Sequence, residues 1–533
     1  MLPDPRLVVH RSERADALVE ALGDVLSAGL ADPLTTEVIS VPTRGVERWL
    51  AQRLSGRLGT SPGRGDGVCA NVEFPFPGRL IGGAVAAASG VDRDEDPWLP
   101  ERAVWPLLDL IDAGTEEPWL ATVAGHLAGS TRSRRFGTAR HITDLYDRYA
   151  VHRPDMLAAW AAGDDVDDGG APLPADARWQ AELWRRLRAR IATPGPAERL
   201  EHACARLEAD PSIADIPERV SLFGLTRLPA SYLQVLRALA AHRDVHMFLL
   251  HPSPVLWERV AGAGVPSRRR SGDDTAALAH HPLLASWGRD AREMQLVLSD
   301  RPVNDRHRSV ATGGTPTLLH RIQEAVRDDE PPPGEPLPGH PDGRPALDPG
   351  DRSIQVHACH GRARQVEVLR DAILHLLLDD PTLEARDVIV MCPDIEAFAP
   401  LIHATFGAGA DPDTDDGAPV DLRVRLADRS LRQTNPVLGA VWSLLTLADG
   451  RMTASQVVDF AGREPVRRRF RLDDDDLSRI SEWVAGTGIR WGLDAAHRAP
   501  FQLDGLAQNT WSAGVDRVLL GVAMADEDQR LVG

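Results

Sequence analysis

Residues 38 to 54, VISVPTRGVERWLAQRL, decide the fold. Val38 to Val41 is a short apolar run rich in β-branched residues. Pro42-Thr43-Arg44-Gly45 carries turn chemistry, and Val46, Trp49, Leu50 and Leu54 then recur at helical spacing. Strand, loop and helix in that order are the first half of a parallel crossover. Further along, Val220 to Leu225, the loop Thr226 to Pro229, a helix over Ala230 to Ala241 and a strand over Val245 to Leu250 supply a complete one. The second half of the chain repeats the pattern. It predicts a strand at Ile354 to Ala358, a helix with Val366, Leu369, Ile373, Leu376 and Leu377 in register, and a strand at Val388 to Cys392. A strand at Leu422 to Leu426 and a helix from Pro436 to Leu447 follow. The class is α/β with parallel sheets.

Between the two crossovers of the first half lies a helical stretch rich in Arg and Trp, an insertion over roughly residues 100 to 210 by its helical periodicity. Within it Ile142, Leu145, Tyr146 and Tyr149 share one stripe of a helix, which turns Asp144, Asp147 and Arg148 outward. The segment Asp328 to Asp351, DDEPPPGEPLPGHPDGRPALDPGD, is too rich in Pro, Gly and acid to build a core and predicts an extended linker. The expected organisation is a first α/β domain over 1–327, a linker over 328–351, and a second, incomplete α/β domain over 352–533 with helices toward its end.

Composition narrows the chemistry. The chain has 533 residues and 60 basic side chains, all of them Arg. Without lysine there is no phosphate-loop lysine, Schiff base or pyridoxal-phosphate linkage. Cys69, Cys204, Cys359 and Cys392 form no CxxC pair, which argues against a zinc cluster or a disulfide framework. No run resembles a membrane helix or a signal peptide, so a cytoplasmic chain without membrane contact is expected. The net charge of -18 opposes nucleic acid overall, but arginines cluster at Arg132, Arg134, Arg135 and Arg140, at Arg185 to Arg190, at Arg268 to Arg270 and at Arg467 to Arg471. Acid collects in turn-like stretches at Asp164 to Asp168, Asp411 to Asp416 and Asp473 to Asp476. Each charged cluster also fits a plain solvated surface.

A nucleotide hydrolase built from such units would carry GxxxxGK[ST] after its first strand; PTRGVER lacks the lysine and the magnesium-binding hydroxyl. No carboxylate pair ends the strand before Gly224-Leu225-Thr226, and Asp526 to Gln529 follows helical spacing. His357, Cys359, His360 and Cys392 could approach one another for a metal, but buried cysteine in a strand is common packing. No GxSxG elbow occurs. No catalytic residue and no metal site is expected.

Several stretches, in order, carry a resemblance over nearly the whole chain: SVPTRGVERWLAQRL (40 to 54), NVEFPFPGRLI (71 to 81), DLYDRYAVHRPDMLAAW (144 to 160), FGLTRLPASYLQVLRALA (223 to 240), HPLLASWGRD (281 to 290), HACHGRARQVEVL (357 to 369), DPTLEARDVIVMCPDIEAFAPLI (380 to 402), RQTNPVLGA (432 to 440) and TGIRWGLD (487 to 494). The sequence resembles the RecC family, the gamma subunits of exodeoxyribonuclease V. The resemblance implies superfamily-1 helicase-like domains without working ATPase motifs. It also implies a subunit that splits duplex ends, channels single-stranded DNA and scans it for the hotspot Chi. RecB-like and RecD-like partners would complete a heterotrimer and use ATP and magnesium, with no cofactor on this chain.

The positions that read Chi would be Pro42, Arg44 and Arg48, then Phe76 and Gly82, then Asp144, Leu145, Asp147 and Arg153. Asp accepts from base amino groups, Arg donates to base edges or phosphates, and Phe offers a stacking face. Pro42, Arg44 and Arg48 stand where the family has smaller or amide side chains, and Gly82 where it has an aromatic, so the octamer read should differ or be lost. Arg132, Arg134 and Arg135 are candidates for the DNA backbone. Family chains are longer, which implies a truncated C-terminus here and an exposed apolar face on the second block. An ATP-driven helicase and a small-molecule α/β transferase are the alternatives.

Overall fold

The computed structural model describes residues 6–61, 67–129, 132–263, 274–299, 301, 303–310, 317–335, 338–339, 341–407, 422, 424, 426 and 435–524. They form two units, Met1–Val356 and His357–Gly533.

The first unit is built on six parallel strands: β1 (Leu7–Ser12), β2 (Glu37–Ser40), β3 (Val72–Glu73), β4 (Arg219–Phe223), β5 (Asp244–Leu250) and β6 (Asn304–His307), in the order β3-β2-β4-β5-β1-β6. Helices cover both faces, as a parallel sheet requires. On one face Leu18 and Leu22 of α1 (Ala15–Ser27) and Leu50 and Leu54 of α2 (Arg44–Ser55) pack on Ile39, Phe223 and Phe248. On the other, Leu80 and Ile81 of α3 (Pro77–Ser89) meet Val220, Leu222, Val245 and Met247. The one-residue alternation between Leu222 and Phe223 is the strand pleat sending neighbours to opposite faces. The crossover read from Val220 to Leu250 is present: α10 (Ala230–Ala240) links β4 to β5, with Val220 beside Val245.

Six helices intervene between β3 and β4 after α3: α4 (Pro100–Ala113), α5 (Ala121–Leu127), α6 (Arg132–His152), α7 (Pro154–Ala162), α8 (Arg178–Ile191) and α9 (Pro196–Ala209). They have a core of their own around Trp98, Tyr146, Trp160 and Trp184, while Leu200, Ala203, Cys204 and Leu207 of α9 join the core under the sheet. The helix read at His141 to Tyr149 is the middle of the longer α6. Ile142 and Tyr146 are buried on it and Leu145 is half-buried.

Three expectations need correction. The unit opens with β1, not with the strand at Val38; all six β1 residues are buried although His10, Arg11 and Ser12 are polar. His10 Nε2 meets His246 Nδ1 at 3.1 Å, its Nδ1 being buried without a partner, and Arg11 pairs with Asp305 at 2.9 Å and Glu258 at 3.3 Å, above the Trp257 ring. The proline-rich segment is anchored at its start. Asp329 is 2% exposed and accepts from the backbone N–H groups of His280 and His281 and from Arg259.

The third correction concerns the second half of the chain: residues 354–358, at the boundary between the two units, and residues 388–392 of the second unit are not strands. Val356 is 92% exposed and Met391 90%. An apolar run becomes a parallel strand only when it has a ladder partner and cover on both faces, and the described residues provide neither. The third run, 422–426, is described only at Leu422, Val424 and Leu426, none of them in a strand. The described part of this unit is helical instead. Gly361–Asp379 packs with Ile395–Gly407, and Pro436–Asp449 with Ala454–Ala461 and Glu464–Phe470. Asp473 to Asp476, read as a turn, starts a helix: Asp473 accepts from the Asp476 N–H and caps Asp474–Gly486. Val437, Leu438, Val441, Trp442, Leu444 and Leu445 leave an apolar face of Pro436–Asp449 in solvent. Arg268 to Arg270, Asp411 to Asp416 and Asp526 to Gln529 lie outside the described residues.

Candidate nucleic-acid interface

Strand order selects the place. From β2 the chain departs toward β3, and from neighbouring β4 it departs the other way, toward β5. Connections that diverge from adjacent parallel strands leave a crevice beyond their C-terminal ends, where open α/β sheets bind ligands. The loop Val41 to Thr43 leaves β2 there, and Gly224 to Pro229 leaves β4.

Thr43 fixes the start of α2 by accepting from the Val46 N–H at 3.2 Å. Arg44 therefore projects from the first turn, exposed, pairing with Glu47 at 2.5 Å and lying 5.4 Å over the Phe76 ring. Phe76 is brought there because Val41 N–H donates to Pro75 O at 3.2 Å, holding the 74–76 loop against the end of β2. Gly224, at φ +73, belongs to the same crevice; a Cβ on it would sit 3.6 Å from Val46. Pro42 is half-buried, and Arg48 is exposed one turn beyond Arg44.

From Phe76 the surface continues through α3 and α10 to α6. The Tyr232 hydroxyl of α10 lies 3.2 Å from where a Cβ on Gly78 would stand; Gly82 is half-buried, its Cβ direction 3.5 Å from Arg93. Burial and the nearby Asp147 push the Tyr232 hydroxyl up from its ordinary value, while Arg93 opposes this. Asp147 keeps solvent contact on one side, but on the other it lines a small cleft with Trp98, Tyr146 and Trp184. That crowding, with Asp144 and Glu101, raises its carboxyl above the usual range. Asp144 is held by Arg140 at 3.0 Å. Arg153 is exposed and stacks 5.2 Å over Tyr149. Beside it, burial lowers His152, helped by Arg227, Arg153 and Arg148.

Arg44 and Phe76 thus stand together at the sheet's C-terminal edge, Asp147 approaches Tyr232 of α10, and Arg153 is exposed at the start of α7, while Asp144 is half-buried against Arg140 and Gly82 is half-buried beside Arg93. Leu145 is half-buried and belongs to no buried cluster. Arg134 and Arg135 stand apart, at the other end of α6 and roughly 18 Å from Asp147 along the helix. Arg135 is paired with Asp112 at 2.8 Å, and the Arg132 side chain lies outside the described residues. Sequence reasoning missed Tyr232 and Arg93. Tyr232 carries no local signal, since only the strand order places its helix after the second crevice strand.

Among the described residues, the turn after the first strand is not built as a phosphate loop. A phosphate loop would follow the first strand, and that strand is β1, so the loop to inspect is not PTRGVER. Only Glu13 and Arg14 separate β1 from α1. The Glu13 side chain is 9% exposed and accepts from His307 Nε2 at 3.0 Å, placing a carboxylate where a helix N-terminus would otherwise receive phosphate. Among the described residues no helix is long and apolar enough to cross a membrane, and no group of three or more His, Cys, Asp or Glu could hold a metal ion.

Fold and edge together define a class: a parallel α/β domain enlarged by a helical insertion, with a carboxylate, Glu13, just beyond the end of its first strand. Within that class the chain belongs to the RecC family. Residues 7–329 match the family described as RecC, N-terminal domain, and residues 434–533 match the RecBCD enzyme subunit RecC fourth domain. The chain is 46% identical to the RecBCD enzyme subunit RecC of Mycobacterium tuberculosis, over 98% of this chain and 47% of the relative. It is 45% identical to that of Mycolicibacterium smegmatis, over 99% and 46%, and 31% identical to that of Escherichia coli, over 97% and 48%. The chain spans about half the length of the curated relatives it matches.

Proposed function

We propose that this chain is a non-catalytic, DNA-binding subunit of a RecBCD-type helicase and nuclease, working in the cytoplasm in repair of double-strand breaks. It splits duplex ends, passes single strands along the sheet edge and reads their bases for a hotspot. RecB-like and RecD-like partners supply motors, nuclease, ATP and magnesium. The observation that supports the reading is the crevice beyond β2 and β4, where Arg44 lies over Phe76; with Asp147, which acts on Tyr232 of α10, and Asp144 one turn before it on α6, it offers stacking and base-edge chemistry. Beside it the β1 end holds a carboxylate, which disfavours phosphate. In this reading Pro42, Arg48, Gly82, Leu145 and Arg153 line the same strand path, and Arg134 and Arg135 meet the backbone further along.

Asp144→Ala with Asp147→Ala is the test. The double variant should lose about 1–3 kcal/mol of discrimination among single-stranded sequences, with duplex-end affinity nearly unchanged. Equilibrium binding to a panel of strands reads both quantities. A uniform loss across all sequences would mean that the two carboxylates do not read bases. DNA-stimulated ATP hydrolysis by the chain alone would instead favour an active helicase.

A further inference from the structure

Two aromatic side chains of the helical insertion stand in water side by side. Trp105 on α4 is 58% exposed and Phe136 on α6 is 38% exposed, and their ring centroids lie 5.3 Å apart at 42°. The buried residues of α4 are Ala103, Val104, Leu107 and Ile111, so Trp105 lies off the packing stripe. Exposed apolar side chains usually occur singly; a contacting aromatic pair is surface kept for a ligand. The pair also has a particular neighbour. At roughly 3.6 residues per turn, Phe136, Arg140, Asp144 and Asp147 fall within a quarter of the α6 circumference, so one face of the helix runs from the pair to the two carboxylates. Asp112 near the end of α4 pairs with Arg135 near the start of α6, while Glu101 at the start of α4 acts on Asp147. The two helices are antiparallel, and Trp105 stands between these ends.

We propose that Trp105 and Phe136 form a stacking platform for a base of single-stranded DNA, extending toward the start of α6 the path that passes Asp144 and Asp147. The inference rests on the nucleic-acid reading of the sheet edge. Several charges near the pair are matched among the described side chains: Arg135 with Asp112 at 2.8 Å, Arg140 with Asp144 at 3.0 Å and Arg190 with Asp109 at 4.0 Å. The rings themselves carry no charge for phosphate, so ring stacking carries their contact, beside the backbone contacts proposed for Arg134 and Arg135. Every base has a π face, so the platform is tolerant of sequence and insensitive to salt.

The experiment titrates a fluorescein-labelled mixed-sequence single strand against the 533-residue chain, its Trp105→Ala variant and its Trp105→Phe variant. Trp105→Ala should weaken binding about tenfold for every sequence with an unchanged salt slope, and Trp105→Phe should bind nearly as the parent does. In the unaltered chain, photocrosslinking with 5-iododeoxyuridine should attach to the peptides holding Trp105 or Phe136, a readout that does not depend on how a variant folds. Strand binding that persists unchanged in Trp105→Ala, with no crosslink at either peptide, overturns the platform and leaves the proposed function standing. A chain that binds no single strand at all removes both. Trp105→Ala that loses capture of partner subunits but not of DNA overturns the platform too, and assigns the pair to a protein contact.

Discussion

Arg219→Ala should cost the first unit about 3–5 kcal/mol, the loss expected when one member of a buried ion pair is removed and its partner is left desolvated. Arg219 opens β4 and is 7% exposed. Its guanidinium pairs with Glu37, which opens β2, and donates to Val25 O and Ala28 O, each at 2.7 Å, at the end of α1. One side chain thus ties two neighbouring strands to the helix that covers them. Urea unfolding of the parent and the variant reads the difference, with the midpoint moving and the slope unchanged. Glu37→Gln retains an acceptor for the same guanidinium and should cost less than half as much. A loss below about 1 kcal/mol in Arg219→Ala would mean that the pair behaves like one in open solvent. The tie lies at the N-terminal end of the strands, roughly 15 Å from the crevice at about 3.3 Å per residue, so the folded fraction should bind DNA as the parent does.

Parts of this architecture are legible in the sequence for a physical reason. β2 with α2, and β4 with α10 and β5, announce themselves because each carries its burial in its own pattern: an apolar run, a turn, then helical spacing. β1 does not, because LVVHRS ends in residues that usually mark a surface. Its His10 and Arg11 are buried only because His246, Asp305, Glu258 and Trp257, all more than 230 residues away, supply partners. The opposite holds for IQVHA, at the boundary between the units, and for VIVMC in the second unit. Their composition is that of strands, but strand propensity describes fit to a neighbouring strand, and without one these residues stay exposed. At the candidate interface, motifs led to Arg44, Phe76, Asp144 and Asp147 one segment at a time. That the segments carrying Arg44 and Phe76 share an edge follows from the order β3-β2-β4-β5-β1-β6, and that α6 adjoins it from the packing of α6 on α10, neither of which a local pattern contains. Tyr232, on a helix remote in sequence from α6, becomes visible only once that order is known.

Acid should destabilise the first unit before any ordinary carboxylate titrates. Burial first, then repulsion from nearby cations, lowers His10 to about 4 and His251 to about 3, and burial lowers His246 to about 4 against the opposing pull of Asp244. His10 is stacked on Phe248 at 4.6 Å and shares a proton position with His246, and His251 sits edge-on to Trp257 at 4.9 Å. A histidine whose folded value is depressed binds fewer protons in the folded state than in the unfolded one. Its contribution is whole above the unfolded value near 6.5 and is lost as pH falls from there toward the folded value. At about 1.4 kcal/mol per pH unit and group, the three together should remove on the order of 4 kcal/mol between pH 7 and pH 5, after allowance for the partial exposure of His246. Urea midpoints measured across that interval test this. The decline should begin near pH 6.5, whereas loss of carboxylate ion pairs such as Arg188 with Glu198, whose carboxyl is held low, would begin only below about pH 5. His251→Asn leaves an acceptor for the Ser253 N–H that His251 Nδ1 now receives at 3.4 Å and cannot take up the proton. It should flatten about a third of the decline. An unchanged acid profile in that variant would mean that His251 is as readily protonated in the folded chain as in the unfolded one, and that the closed packing around β1 and β5 opens to water far more than its burial implies.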